Sequence, residues 1–505
     1  MIKLIYRIES DYMSKKRMLI VTSVTLSVVT ISLGIVKLYQ TYALSNYIGT
    51  VTDTGIDVYI NDDSYASIPA NGSSNVYYML TNTNPGTVKY GVAYQTTSGV
   101  TVKVYDTSED PATGTIEEND KKYIKLHLEN KNSTNKTIEL STVLGYENGG
   151  DLVVPSGVTL VTDTYTPPPT AAEYITKLYT TASKTTVTNN SITYNTAPSV
   201  SLMNDRLGGT TTDLDGGNIR YYGASPNNYI YFNCSDYSNQ TSSTCETWRI
   251  IGVFDGKLKL IRGSQIGTYS WDNKDTSTGA ESNFGKNDWT TARLMKLLNP
   301  SDYYTTDSND NNLGQGLYYN SASGKCYSGQ NNATVDCNFT STGIKNDITR
   351  NMIAETTYNL GGWNSNTVYP NLMYEKERGT TVYTGRPTTP WTGKIALAYP
   401  SDYGYAADLN QCKDKTLYDY NNSTCTSNNW MKAIITNNGS NSGWLLTPYC
   451  STSSNVWYVY PVGYVYFNYT VYSAFGAVPV LSLSSELGIE SGGDGSSSNP
   501  YKLSA

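Results

Sequence analysis

Hydrophobic and polar residues are arranged differently in successive parts of the chain. Residues 18–36 hold no charged side chain, and a helix of this length, at about 1.5 Å per residue, just crosses a hydrocarbon layer about 30 Å thick. Basic residues at positions 15–17 precede it, which by the positive-inside rule puts residues 1–17 in the cytoplasm. We expect residues 18–37 to be a single-pass cell-membrane anchor, or else a cleaved signal peptide, with all later residues extracellular.

Short alternating runs separated by Asn, Gly, Asp and Ser fill residues 52–163. Residues 76–80 and 123–128 are two of these runs, and strands of this length and spacing predict an antiparallel, immunoglobulin-like β-sandwich. In the second run the apolar residues share the face opposite His127, so we expect His127 to be solvated on the sheet surface. We interpret the sandwich as a stalk.

Residues 164–199 form a predicted Pro-rich linker with a short helix. The stretch 164–170 reads Thr-Tyr-Thr-Pro-Pro-Pro-Thr, and consecutive prolines stiffen a chain into an extended segment. The remaining residues, 200–505, contain helix caps, strand runs and the hairpin signal Asp255-Gly256. The sequence thus predicts an α+β protein in which a transmembrane helix, a sandwich stalk and a mixed α+β domain follow one another.

Composition narrows the chemistry that the chain can perform. A net charge of −7 over 505 residues provides no basic field to hold nucleic acid. The single histidine, His127, excludes most His-based catalytic triads and metal sites. We therefore expect no enzyme activity, no catalytic residue, no metal and no cofactor. Tyrosine is abundant, with 46 residues against 6 phenylalanines, so much of the aromatic surface keeps a hydroxyl for water.

Six of the 7 cysteines fall into local pairs. The pairs are Cys234 with Cys245, Cys326 with Cys337, and Cys412 with Cys425. Ten, ten and twelve residues separate the partners, which predicts three short disulfide-closed loops in an oxidising compartment. Cys450 is left over, and we expect a small buried or half-buried thiol rather than a reactive nucleophile, because no histidine is available to activate it.

A long charge-free segment lies near the C-terminus. Residues 433–485 contain no Asp, Glu, Lys, Arg or His, and seven tyrosines lie among Asn, Ser, Thr and Pro between positions 449 and 472. These phenols and their polar neighbours cannot all be buried without partners, so many must reach the surface. A Tyr-rich surface with small polar residues is typical of antibody paratopes. The segment predicts a binding face, with a plain Tyr/Ser/Val-rich sheet as the alternative.

Two motifs flank this segment. They read Trp-Leu-Leu-Thr-Pro at 444–448 and Gly-Ala-Val-Pro-Val-Leu-Ser-Leu at 476–483. Together they resemble the C-terminal signature of C-type-lectin-like domains related to formylglycine-generating enzymes. Such domains occur in bacterial surface proteins and in the variable proteins of diversity-generating retroelements. The resemblance covers roughly residues 200–505, although Val478 stands where the signature often carries an arginine.

The resemblance implies a rigid lectin-like frame that displays the segment between the two motifs. It also implies that adenine-directed mutagenesis diversifies this segment. Apart from Trp457, residues 449–477 all belong to the set encoded by pyrimidine-ending codons, as such diversification would leave. Strand alternation in this frame puts Trp457 and Val459 in the core and Tyr458 and Tyr460 toward the ligand. The expected ligand contacts are Tyr449, Asn455, Tyr458, Tyr460, Val462, Tyr464, Phe467 and Tyr472.

Together these features predict an exported, membrane-tethered surface receptor or adhesin that binds a protein or carbohydrate ligand through the Tyr-rich segment. Membrane contact is expected only through the N-terminal helix. One alternative is a relative of the formylglycine-generating oxidases, which needs a reactive cysteine pair where this chain has Cys450 alone. The other is a passive structural surface protein, which would have no selective ligand.

Overall fold

The computed structural model describes most of the chain from residue 65 onward. The described residues are 65–82, 86–145, 152, 154–273, 285–303, 314–329, 333–383 and 386–504. They belong to two compact units, of which the first ends at Pro167 and the second begins at Pro168.

The predicted α+β class with a membrane-spanning helix is corrected by the structure. Of the described residues, 37% are in strands and 15% in helices, so the fold is strand-rich. Among them, no helix has the length and apolar character needed to cross a membrane. The longest has 11 residues, against the roughly 20 that a span requires. The predicted single-pass membrane localisation is corrected on the same finding. Residues 1–17 and 18–37 themselves lie outside the described residues.

The described part of the first unit consists of nine strands. They are β1 (Tyr65–Ile68), β2 (Gly72–Thr81), β3 (Val88–Gln95), β4 (Val100–Tyr105), β5 (Thr113–Ile116), β6 (Lys121–Asn130), β7 (Lys136–Gly145), β8 (Val158–Leu160) and β9 (Thr164–Tyr165). One sheet has the order β1-β7-β3-β5, with β8 paired to β3, and the other has the order β2-β6-β4-β9. Side chains from both sheets, among them Val92, Leu126 and Leu140, are fully buried in one core. The two sheets therefore pack as a β-sandwich.

His127 is not solvated as the alternation on β6 predicted. It is 6% exposed, and its ring stacks on Tyr165 with centroids 3.6 Å apart. Its Nδ1 lies 2.8 Å from Asn75 Oδ1. Strand β9, which pairs in parallel with β4, brings Tyr165 over this face of the sheet. Burial lowers the pKa of His127, with the carboxylate of Glu129 opposing.

The described part of the second unit consists of short strands and helices. Its strands are β10 (Thr185–Asn189), β11 (Ile192–Ala197), β12 (Leu202–Asn204), β13 (Ile219–Tyr221), β14 (Tyr229–Phe232), β15 (Glu246–Phe254), β16 (Lys257–Arg262), β17 (Thr268–Tyr269), β18 (Ser323–Tyr327), β19 (Thr334–Asn338), β20 (Thr356–Tyr358), β21 (Thr381–Tyr383), β22 (Arg386–Pro387), β23 (Trp391–Gly393), β24 (Ile395–Ala396), β25 (Gly443–Pro448), β26 (Val456–Val459), β27 (Val465–Tyr466), β28 (Phe475–Gly476), β29 (Val480–Ser482), β30 (Gly488–Ile489) and β31 (Leu503–Ser504). Its α-helices are α1 (Ala171–Thr181), α2 (Arg206–Gly209), α3 (Arg293–Leu298), α4 (Asp347–Met352), α5 (Pro370–Glu377), α6 (Pro400–Tyr405), α7 (Ser423–Ser427) and α8 (Trp430–Ile435). Short 3₁₀ helices cover Pro198–Val200, Ser301–Tyr303 and Leu417–Asp419.

Two sheets organise this unit. The larger has the order β10-β11-β12-β13-β15-β16-β29-β24, with β14 paired to β15, and the smaller has the order β17-β28-β25-β26-β27. Asp255 and Gly256 join β15 to β16 with φ angles of 48° and 70°, the left-handed backbone that a tight hairpin turn requires.

Helix α1 shows how the residues after the prolines join the second unit. Thr170 and Glu173 form a capping box, in which Thr170 Oγ1 accepts from Glu173 N at 3.2 Å and Glu173 Oε2 accepts from Thr170 N at 2.8 Å. Ile175 and Tyr179 are buried in the main core of this unit. The predicted linker 164–199 thus overlaps the second unit from residue 168 onward.

The three predicted disulfides are confirmed. They join Cys234 to Cys245, Cys326 to Cys337, and Cys412 to Cys425. The second bond links β18 to β19, which pair as an antiparallel hairpin. Disulfides of this kind form in oxidising compartments, and each closes a loop that constrains the unfolded chain.

A buried ion network joins the larger sheet to helix α6. Arg220 Nε lies 2.6 Å from Asp205 Oδ2, and its Nη1 lies 2.8 Å from Asp402 Oδ1. Lys259 Nζ lies 2.5 Å from Asp402 Oδ2. Burial alone would raise the pKa of Asp402, but the charges of Lys259 and Arg220 outweigh it and lower that pKa to about 2. Asp402 is therefore a carboxylate at neutral pH.

Candidate functional site

The segment between the two motifs is held by the smaller sheet. Its central strand, β25, pairs antiparallel with β26 and parallel with β28. Two buried indoles fasten β25 to the rest of the unit. Trp271 Nε1 donates to Leu445 O at 3.1 Å, and Trp444 Nε1 donates to Tyr269 O at 2.9 Å. Strand β25 is therefore a fixed base for the strands that follow it.

Strand β26 is covered on both faces. Trp457 and Val459 are 0% exposed in one core cluster, and Tyr458 is 1% exposed in another, which also contains Trp444. The Tyr458 hydroxyl donates to Asn468 Oδ1. The prediction that Tyr458 points toward ligand is corrected, because alternation gives an exposed face only where one side of a strand is left open. Tyr458 lies in the core instead.

A group of partly exposed rings lies around Tyr458, and we call it the aromatic face. Its members are Tyr418, Tyr449, Tyr460, Tyr464, Tyr466, Phe467 and Tyr469. Tyr418 and Tyr469 are 41% and 43% exposed, and the other five are half-buried. Rings held in this way combine a fixed position with accessible area, which is what a contact surface needs.

The rings of the aromatic face support one another. Tyr460 stacks on Tyr464 with centroids 4.9 Å apart, and Tyr464 meets Tyr466 edge-on at 6.0 Å. Tyr466 lies 4.8 Å from Phe467, and Phe467 stacks on Tyr449 at 3.9 Å. Aromatic pairs at such distances stabilise their arrangement by about 0.5–1.5 kcal/mol each beyond burial. The rings therefore form a continuous, preordered surface.

Tyr418 reaches this surface from a distant part of the sequence. It lies in the loop closed by the disulfide between Cys412 and Cys425, and its ring centroid is 5.4 Å from that of Tyr464 and 5.3 Å from that of Tyr466. It is not among the predicted contacts, because it lies outside the segment between the two motifs. The signal in the sequence is a tyrosine within the polar stretch between Cys412 and Cys425.

Several phenol hydroxyls of the aromatic face are open to a ligand. Within the described part of the chain, no protein group hydrogen-bonds the hydroxyls of Tyr460, Tyr464, Tyr466 and Tyr469. Partial burial raises the pKa of Tyr464, and the neighbouring phenols of Tyr460 and Tyr418 raise it further. Tyr464 therefore keeps its proton at neutral pH and can both donate and accept a hydrogen bond.

The remaining predicted contact residues have different surroundings. Val462 is 50% exposed in the turn between β26 and β27, beside the aromatic face. Asn455 is used internally, because its Nδ2 donates to Phe467 O at 3.0 Å. Tyr472 is half-buried, and its carbonyl accepts from Ser270 Oγ at 2.8 Å. The structure thus brings Tyr449, Tyr460, Val462, Tyr464 and Phe467 to one surface, with Asn455 shaping its base.

Charged side chains are absent from the segment that contributes most of the aromatic face. The segment 433–485 brings no acidic or basic side chain to it. Across the described ranges, no group of three or more His, Cys, Asp or Glu side chains lies close enough to hold a metal ion. Cys450, a free and half-buried cysteine, has a pKa that burial raises to about 11, with Arg386 opposing. Its thiol is therefore neutral and a weak nucleophile at neutral pH.

Comparisons with known proteins identify no relative of this chain. No protein-family model, no curated protein and no solved structure matches the chain.

Proposed function

We propose that the second unit is a C-type-lectin-like ligand-binding domain that holds a protein or glycan ligand against its aromatic face. The observation that carries the proposal is a continuous set of half-exposed rings with unpaired hydroxyls. Tyrosine supplies large contact area at a low cost in side-chain entropy, and its hydroxyl adapts to different partners. Peptide side chains and the C–H faces of sugar rings both pack well on such a surface.

The frame beneath the face supports a binding role. Trp457, Val459 and Val465 are fully buried below it, and the hydroxyl of Tyr458 is held by Asn468. The disulfide between Cys412 and Cys425 closes the loop that carries Tyr418. A surface that is ordered before binding loses little conformational freedom when a ligand arrives.

The same arrangement suits diversification of the exposed positions. Residues 460–469 include both the half-exposed rings and the exposed Val462, whereas the buried Trp457 is the one residue outside the pyrimidine-ending codon set of 449–477. Changes at the exposed positions would alter the ligand contacts and leave the core intact. Diversification is tested by sequencing the DNA in and around the gene. We expect a nearby near-copy of this region that differs at adenines, together with a reverse transcriptase, whereas differences at other bases would refute diversification and leave binding untouched.

Binding itself is tested with a triple variant of the full chain, Tyr460→Ser, Tyr464→Ser and Tyr466→Ser. The probes are an immobilised glycan panel and a displayed peptide library. Wild-type chain should be retained selectively by members of one of these panels. Because truncating a central interface tyrosine typically costs more than about 1 kcal/mol, the triple variant should bind at least about tenfold more weakly.

The matched control removes two tyrosines outside the face, by Tyr65→Ser and Tyr369→Ser. This control should bind as wild type does. Absence of selective retention of the wild-type chain would favour the passive structural alternative. Equal retention of the triple variant and the control would show that binding, if present, uses another surface.

A further inference from the structure

A cavity lies in the second unit, and its lining is separate from the aromatic face. It is a cavity of about 490 Å³ between strands β14 to β16 and helix α8. Its lining includes Tyr229, Glu246, Arg249, Arg262 and Trp430, and it contains no residue of the aromatic face. Small-molecule sites usually have volumes of roughly 300–1,000 Å³, so the cavity can hold a ligand the size of a monosaccharide or a dipeptide.

Arg249 is the distinctive residue of this cavity. It is 6% exposed, and its guanidinium carbon lies 3.7 Å from the ring centroid of Tyr229 and 4.8 Å from that of Trp430. Its Nε donates to Asn228 Oδ1 at 2.5 Å, and its Nη2 donates to Pro226 O at 3.2 Å. Both acceptors are neutral, and neither bond uses Nη1.

The charges of the cavity do not balance. The carboxylate of Glu246 is engaged by Arg262, with Nε to Oε2 at 3.1 Å and Nη2 to Oε1 at 3.2 Å. Its Oε2 also accepts from Trp248 Nε1 at 3.1 Å. In the described part of the chain no carboxylate pairs with Arg249. Burial lowers the pKa of Arg249 to about 10, with the neutral Tyr229 side chain opposing. The guanidinium therefore remains charged at neutral pH, and the cavity keeps one positive charge in excess.

We propose that this cavity binds a small organic carboxylate, with Arg249 as its counter-ion. A buried charge is costly unless it is paired, and a guanidinium pairs most strongly with a planar oxyanion. One excess positive charge matches a monoanion better than a doubly charged phosphate. Thr247, Ser264 and Asn437 also line the cavity and can hydrogen-bond the polar remainder of the ligand. Two sources supply this chemistry, an acidic sugar and the C-terminus of a peptide.

The test measures binding to the full chain by isothermal titration calorimetry. The probes are glucuronate and its neutral counterpart glucose, the tripeptide Gly-Gly-Ala and its C-terminal amide, and inorganic phosphate. Binding of glucuronate but not glucose identifies an acidic sugar as the source. Binding of the tripeptide acid but not its amide identifies a peptide C-terminus. If neither glucuronate nor the tripeptide acid binds, or if phosphate binds more tightly than both, the proposal is overturned.

Two variants tie the binding to the cavity. Arg249→Met removes the charge at similar length and should weaken carboxylate binding about ten- to a hundredfold. Ala433→Phe adds a bulky ring at an exposed position of the cavity wall and keeps Arg249 itself. It should weaken binding even if Arg249→Met folds poorly. Arg350→Met, at an arginine that pairs with Asp347 outside the cavity, should bind as wild type does. Unchanged affinity in either cavity variant overturns the assignment.

Discussion

Replacing Glu377 by glutamine should stabilise the second unit at about pH 8 and leave its stability nearly unchanged at about pH 4. Glu377 is 0% exposed at the end of α5. Its Oε1 accepts from Ser401 N at 2.8 Å, and its Oε2 accepts from Ser401 Oγ at 2.5 Å. Burial raises the pKa of Glu377 from 4.5 to about 7, with Arg378 opposing.

The magnitude follows from this shift. The folded chain holds the Glu377 proton more tightly than the unfolded chain does, so stability is full below pH 4.5 and declines as the pH rises through about 7. At about pH 8 the cost of ionising the buried carboxyl reaches about 3 kcal/mol. Glutamine avoids this cost, its carbonyl can still accept from Ser401 N, and its amide can donate to Ser401 Oγ.

One interaction is lost in the variant. Arg378 Nη1 lies 3.5 Å from Glu377 Oε2, and the Arg378 side chain is 30% exposed. A pair of this kind contributes about 0–1 kcal/mol, and water can solvate the arginine after the change. The attraction of Arg378 is already contained in the raised pKa of Glu377, so the expected gain of Glu377→Gln at about pH 8 stays at about 3 kcal/mol in the free energy of unfolding.

The assay is urea unfolding followed by tryptophan fluorescence. All 8 tryptophans lie between residues 248 and 457, so the signal reports on the second unit alone. Glu375→Gln is the matched control, because Glu375 lies on the same helix with a side chain that is 56% exposed. The control should change stability by less than about 0.5 kcal/mol at either pH. A Glu377→Gln variant no more stable than wild type at about pH 8 would refute the reasoning.

Two further predictions concern buried groups of the second unit. Asp402→Asn leaves Arg220 and Lys259 without a shared carboxylate, so it should lower the free energy of unfolding by about 3–5 kcal/mol in the same urea assay. The pKa of Asp402 is lowered from 3.8 to about 2, so its contribution to the free energy of unfolding is present above pH 3.8 and is lost as the pH falls through 2. Over this range wild type should lose about 2 kcal/mol of stability through Asp402, and Asp402→Asn should not. An unaltered acid profile in Asp402→Asn would contradict the network. Cys450 should react slowly with a disulfide thiol reagent in the native chain at about pH 8, because burial raises its pKa to about 11. After urea unfolding it should react rapidly. A rapid reaction in the native chain would show that the thiol is more accessible than described.

Local features of the structure could be predicted from the sequence. The cysteine spacing gave the three disulfides because each bond joins residues close in the chain. The hairpin at Asp255-Gly256 follows from two residues that accept left-handed backbone. Several members of the aromatic face, such as Tyr460 and Tyr464, were also found, because uncharged residues with hydroxyls cannot all be buried.

The errors arose where distant segments meet. Alternation placed Tyr458 and His127 on open faces, but a second core layer covers Tyr458 and the ring of Tyr165 covers His127. Tyr418 enters the aromatic face from a disulfide loop outside the segment. The excess charge at Arg249 depends on which carboxylates surround it in space. None of these contacts leaves a periodic pattern in the sequence.

Ligand binding at the aromatic face requires that the face is open to solvent in the free chain and covered in the complex. Nitration of tyrosine with tetranitromethane, mapped by mass spectrometry with and without the ligand selected from the panels, measures both properties. We predict modification of Tyr460, Tyr464 and Tyr466 in the free chain and protection of all three in the complex, with Tyr65, 56% exposed in the first unit, modified equally in both. Lack of modification in the free chain, or modification that the ligand leaves unchanged, would contradict the account.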